Sequence, residues 1–154
     1  MTENRLKRRL GVFLVSSHLF TLFVAIFAKL IGGLSADEFT TVLAVIAPMF
    51  AGYTSAVVAY FVENRHVTAD SSRKITSTFA WLSLVLPAVL AVLIILSIIL
   101  KSLNLGFVDF EDMKRFLIAM ESLLAAYIGT IVFTLFPRST DESKGRDALR
   151  GDRP

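Results

Sequence analysis

Four long apolar blocks, separated by short polar stretches, account for most of the chain: Leu10–Leu34, Phe39–Val62, Phe79–Leu100 and Phe116–Phe136. Each is close to the roughly 17–25 residues that a helix needs to cross a bilayer. The pattern predicts an all-α integral membrane protein, a four-transmembrane-helix bundle occupying residues 10–136. The first block ends at Gly32-Gly33, a plausible helix stop. The second carries Pro48, which kinks a helix but is tolerated in membrane spans when neighbours satisfy the freed carbonyl. The third is the most uniformly oily, with Pro87 and Ser97 as its interruptions, and reads as the span most exposed to lipid. The fourth is interrupted by Glu121 and closed by Pro137.

The polar stretches fill in the rest. Residues 1–9 form a short basic tail, and residues 137–154 are polar, charged and poor in apolar side chains, which predicts disorder. Asp37 and Glu38 stand at the start of the second block, where a helix dipole favours negative charge. The link Glu63–Ser77 is polar, with Asp70, Ser71 and Ser72 available as helix N-caps. The link Lys101–Arg115 mixes Leu105, Phe107 and Phe110 with acids, a blend expected of a segment lying at a membrane surface. Leu10–Leu34 is too long for a secretory signal core of about 7–15 residues, and the best cleavage point, after Ala36, would put Leu34 at the minus-three position. It is expected to remain as a span.

Charge sets the orientation. Arg5, Lys7, Arg8 and Arg9 lie in the N-terminal tail, Arg65, Arg73 and Lys74 in the second link, and Arg138, Lys144, Arg146, Arg150 and Arg153 in the C-terminal tail. The opposite side holds only Lys101, Lys114 and Arg115. Positive residues stay inside, so both termini are expected in the cytoplasm of a multi-pass protein of the cell (inner or plasma) membrane. The net charge of +3 therefore reads as topology and lipid contact, and no nucleic-acid partner is expected.

Composition then removes several chemistries. There is no Cys, so no disulfide, thiolate nucleophile or Cys-ligated metal. The chain contains no G-x-S-x-G, H-E-x-x-H or P-loop, and its two histidines, His18 and His66, lie in separate segments. No enzyme activity, no cofactor and no metal site are expected. The two halves show no repeat of the kind found in many transporters.

Charge inside hydrocarbon costs at least about 2.5–3.5 kcal/mol, so Lys29 and Glu121 need a reason. Lys29 lies five residues before the outer end of the first block and Glu121 five after the outer start of the fourth. Each is thus expected roughly 7–8 Å below the outer boundary. Two readings follow: the pair meets, within one subunit or across a subunit contact, or each side chain snorkels outward. His18 shares a helix face with Thr21 and Lys29, and Ser17 runs alongside. This polar stripe either lines a pore, with His18 as a pH-sensitive element, or packs against another helix through a hydrogen bond to Tyr53, Ser55 or Thr130.

Small residues recur at four-residue steps. Ala47, Ala51, Ser55 and Ala59 form one ladder with Gly52 beside it, and Ser122, Ala126, Thr130 and Thr134 form another with Ala125 and Gly129. Such spacing lets membrane helices approach closely. Asp37, Glu38, Asp109, Glu111 and Asp112 make the outer side acidic and would raise cation concentration at a pore mouth.

A single bundle of this size hardly encloses a water path. The leading expectation is a homo-oligomeric ion channel or pore, opened by a protein or small-ligand trigger, as in a membrane effector of a toxin or antiviral defence system. The competing expectation is a non-conducting membrane subunit that anchors a partner protein. A third is a small proton-coupled exporter using Glu121, weakened by the expected position of that residue near the outer side rather than the midplane.

Overall fold

The structure is a computed structural model, and it describes residues 2–63, 75–107 and 109–132. All of the regular structure among the described residues is helical: α1 (Glu3–Leu30), α2 (Ala36–Glu63), α3 (Ser77–Ser102) and α4 (Phe110–Tyr127), which runs on as a π-helical turn, Ile128–Val132. Helices α1, α2 and α3 are each long and apolar enough to cross a membrane. Helix α4 carries Glu111, Asp112, Lys114, Arg115 and Glu121 and is less apolar. The C-terminal tail, positions 64–74 of the second link with their basic residues, and the end of the fourth apolar block with Thr134 lie outside the described residues.

All four helices start ahead of their apolar blocks, α1 and α4 by the most. Helix α1 begins at Glu3, because Glu3 and Lys7 pair along the helix at 2.8 Å and extend it through the basic stretch. Helix α4 begins at Phe110, because Asp109 caps it by accepting from the Glu111 amide at 3.3 Å and acids fill its first turn. The second half of the expected surface segment is thus the start of α4.

The main helix contacts run α1 to α2, α2 to α4, α4 to α3 and α3 to α1, which closes a four-helix ring with α1 opposite α4 and α2 opposite α3. The α1–α2 corner and the α3–α4 corner lie at the same end. There the Gly33 backbone presses on Ser102, leaving no room for a Cβ (2.5 Å from the Ser102 carbonyl oxygen). Lys101 also reaches Glu38 at 3.8 Å. Helices α1 and α3 are therefore parallel neighbours, as are α2 and α4.

Local chemistry builds this corner. Helix α1 ends when Gly32 turns left-handed (φ 78°), so that the Gly33 amide reaches the Ala28 carbonyl and the Gly32 amide the Lys29 carbonyl. Helix α3 ends the same way on Asn104 (φ 56°), with the Leu105 amide on Leu100 and the Asn104 amide on Lys101. Helix α2 starts with a reciprocal box: the Glu38 amide donates to Ser35 Oγ at 3.2 Å and the Ser35 amide to Glu38 Oε2 at 2.7 Å.

The core falls into two apolar clusters. One holds Leu6, Leu10, Leu14, Tyr53, Leu90, Leu124 and Tyr127. The other, toward the corners, holds Ala25, Ala28, Val42, Ile46, Ile94, Ile98, Met113 and Leu117. Along α1 and α4 the residues between them are His18 and Thr21, and Glu121, all buried.

Candidate functional site: the mid-bundle polar layer and the α2/α4 face

The stripe on α1 faces the bundle interior. His18 and Thr21 are each 3% exposed. The His18 ring stacks on Phe50 (centroids 5.9 Å apart, planes 9° apart) and meets Tyr53 edge-on at 4.7 Å. Its Nδ1 lies 3.3 Å from the Leu14 carbonyl oxygen, a hydrogen bond for the ring protonated at Nδ1. Ser17 donates to Leu14 and Thr21 to Ser17, so the hydroxyls are satisfied within their own helix. The histidine thus touches Tyr53 through its ring edge, while Ser55 and Thr130 sit exposed on the outer surface.

Lys29 and Glu121 do not pair within the subunit. Lys29 turns toward the corner and donates to the Leu34 carbonyl at 3.3 Å. Its helix lies diagonally across the ring from α4. Because α4 starts at Phe110, Glu121 lies three turns into it, level with Val45 and Met49 of α2.

Glu121 is 4% exposed, and neither carboxylate oxygen has a hydrogen-bond partner. It closes the inner end of a groove of about 250 Å³ between α2 and α4, lined also by Val45, Met49, Ile118, Ser122 and Ala125. The hydroxyls of Tyr53 and Thr54 on α2 and of Ser83 on α3 are likewise buried without partners, whereas the Tyr127 hydroxyl donates to the Ser83 carbonyl and ties α4 to α3. Buried polar groups left without partners are uncommon and ask for an explanation.

The outer surface divides sharply. Large apolar side chains are exposed along α1 (Val12, Leu19, Phe20, Phe23, Ile26, Phe27, Leu30) and along α3 (Trp81, Leu82, Leu86, Val89, Val92, Leu96, Ile99). Among the described residues, α2 exposes only Val58 and Val62 in this way, and α4 only Ile118 and Leu123. The ladders occupy that other side: Ala47, Ala51, Gly52, Ser55 and Ala59 on α2, and Ser122, Ala126, Gly129 and Thr130 on α4, are all exposed. A Cβ added at Gly52 or Gly129 would meet nothing within 4 Å. Ser55, Ser122 and Thr130 each donate to the carbonyl four residues back. The ladders therefore do not mediate packing inside the subunit. The α1–α2 approach relies instead on Gly11, where Val57 and Phe61 lie against the backbone.

The five acids are at the corner end. Glu38 is committed to the α2 cap and Lys101, Asp109 to the α4 cap, and Glu111 to Lys114 at 2.6 Å, while Asp37 and Asp112 are exposed. Among the described residues no three His, Asp or Glu side chains converge as a metal would require. Sequence reading found Glu121 and both ladders. It missed the groove, which depends on the pairing of α2 with α4.

Over the described residues these features define an all-helical protein with three membrane-capable helices, one small-residue face and a buried carboxylate beside it. Compared with known proteins, the chain matches no protein family, no curated protein and no solved structure.

Proposed function

We propose that the protein is a homo-oligomeric membrane pore whose copies meet through the α2/α4 face, around a path that passes Glu121. In this reading all four helices span the cell membrane with both termini cytoplasmic, as the placement of Lys and Arg favours. Helix α4 crosses because it packs along α2 and α3 and shares their lipid shield.

The observation that carries the proposal is the division of the surface. Bulky side chains on α1 and α3 suit lipid, while small and hydroxyl-bearing residues on α2 and α4 suit other helices or water. Closed symmetry turns such a face inward around an axis. The polar stripe of α1 has no part in the path, since its side chains are spent inside the subunit.

The chain has no Cys, so single substitutions report cleanly. Ala51→Cys and Ala126→Cys are expected to cross-link two copies in native membranes, and Trp81→Cys is not. Vesicles holding the protein should leak monovalent cations, and Glu121→Gln should change the flux. Strong cross-linking of Trp81→Cys with none at Ala51 or Ala126 would refute the arrangement.

The same open ladders favour a second reading, a non-conducting subunit whose α2/α4 face receives the helix of a partner protein. That reading requires silent vesicles and cross-links from Ala51→Cys to a different chain rather than to a second copy.

A further inference from the structure

The groove beside Glu121 has a chemistry that a pore wall alone does not need. Its carboxylate is buried, and both oxygens lack a partner. Ser122 Oγ donates to the Ile118 carbonyl at 2.7 Å, so the hydroxyl presents only lone pairs to the groove. The remaining walls are apolar: Val45, Met49, Ile118 and Ala125, with the methionine able to adapt its shape. The site therefore offers acceptors and oil but no donor. Its complement carries one positive charge, at least one N–H, and an apolar body.

A metal ion does not meet that description. Divalent cations ask for about six or more oxygens, and here one carboxylate and one hydroxyl are at hand. The groove, about 250 Å³, is also smaller than the roughly 300–1,000 Å³ typical of drug-sized ligands. We propose that the α2/α4 groove is a binding site for a small organic monocation, an ammonium on an apolar body, with Glu121 as its counter-charge. The ammonium donates to the carboxylate and to Ser122 Oγ, and the body lies against Val45, Ile118 and Ala125. The site is complete in a single subunit, so it stands whether or not copies assemble into a pore.

The test uses the full-length protein in phosphatidylcholine vesicles, with benzylammonium as the probe. Dicyclohexylcarbodiimide, an apolar carboxyl reagent, should modify Glu121, as read by mass spectrometry of the peptide. Benzylammonium should slow that modification by about tenfold or more, and neutral benzyl alcohol should not. Calorimetry should give binding heat for the wild type and none for Glu121→Gln. Ala125→Leu keeps the carboxylate but fills the groove, and should weaken protection while helix content stays unchanged. The proposal is overturned if benzylammonium gives no protection, if benzyl alcohol protects equally, or if Glu121 stays unmodified in a protein of normal helix content.

Discussion

Glu121 and His18 are both polar residues in apolar helices, yet they stand in opposite situations. His18 is enclosed by Phe50 and Tyr53 and bonded to its own helix, whereas the Glu121 carboxylate is buried with no partner. An unmatched buried group lowers stability and persists where it has a use. Glu121→Met, which replaces the carboxylate by an apolar side chain of similar length, should therefore raise unfolding stability in detergent by about 1–3 kcal/mol while ending cation flux. A loss of both would mark the residue as structural. His18→Leu should cost less than about 1.5 kcal/mol and leave flux intact, because shape rather than charge is what its neighbours need. If His18→Leu abolishes flux in a folded protein, the α1 stripe belongs to the path after all. Residue patterns alone indicated that the stripe faces protein or water rather than lipid and that Glu121 needs a reason; that the stripe faces protein came from the packing of Phe50 and Tyr53 on His18. The patterns left open whether Lys29 meets Glu121 or reaches toward the end of its own span, as it does, since ring order decides which helices meet.

At the scale of elements, the corner joining α1, α2 and α3 is where backbone chemistry sets geometry. Ser35→Ala removes one half of the reciprocal box at the head of α2 and should cost about 0.5–2 kcal/mol, read as a lower thermal midpoint. Gly33→Ala places a methyl group 2.5 Å from a backbone oxygen that cannot swing aside. It should cost roughly 1–3 kcal/mol and loosen the α1–α2 corner, measurable as faster amide exchange at residues 31–38. The sequence already contains both signals, since Ser35 and Glu38 have the spacing of a capping box and Gly32-Gly33 closes α1. The helix starts were harder to read. Apolar content marks where a helix meets oil, while Glu3–Lys7 pairing and the Asp109 cap determine where the helix begins.

For the whole molecule, the decisive property is the division between a bulky side and a small side. The ladders were apparent from four-residue spacing, but spacing cannot tell whether a ladder is consumed inside the subunit. Here it is not, because Gly11, Gly33 and the α1 stripe already serve the internal approaches. Gly52→Leu and Gly129→Leu should consequently change the stability of the isolated subunit by no more than about 0.5 kcal/mol, yet reduce association through the α2/α4 face. Light scattering in detergent beside thermal unfolding separates the two effects. A large drop in subunit stability would mean that the face is filled from within.

The modest oiliness of α4 has a consequence for how the protein is made. Synthesis delivers this helix after three helices that are each long and apolar enough to enter lipid. A carboxylate within such a segment is costly to release alone into a bilayer, whereas packed along α2 and α3 it is buried. Biogenesis therefore becomes ordered: the three earlier helices act as a template for α4, and the polar centre closes only when α4 has joined them. A ribosome-bound chain lacking α4 should insert normally, while α4 behind an unrelated leader should slip out of the membrane.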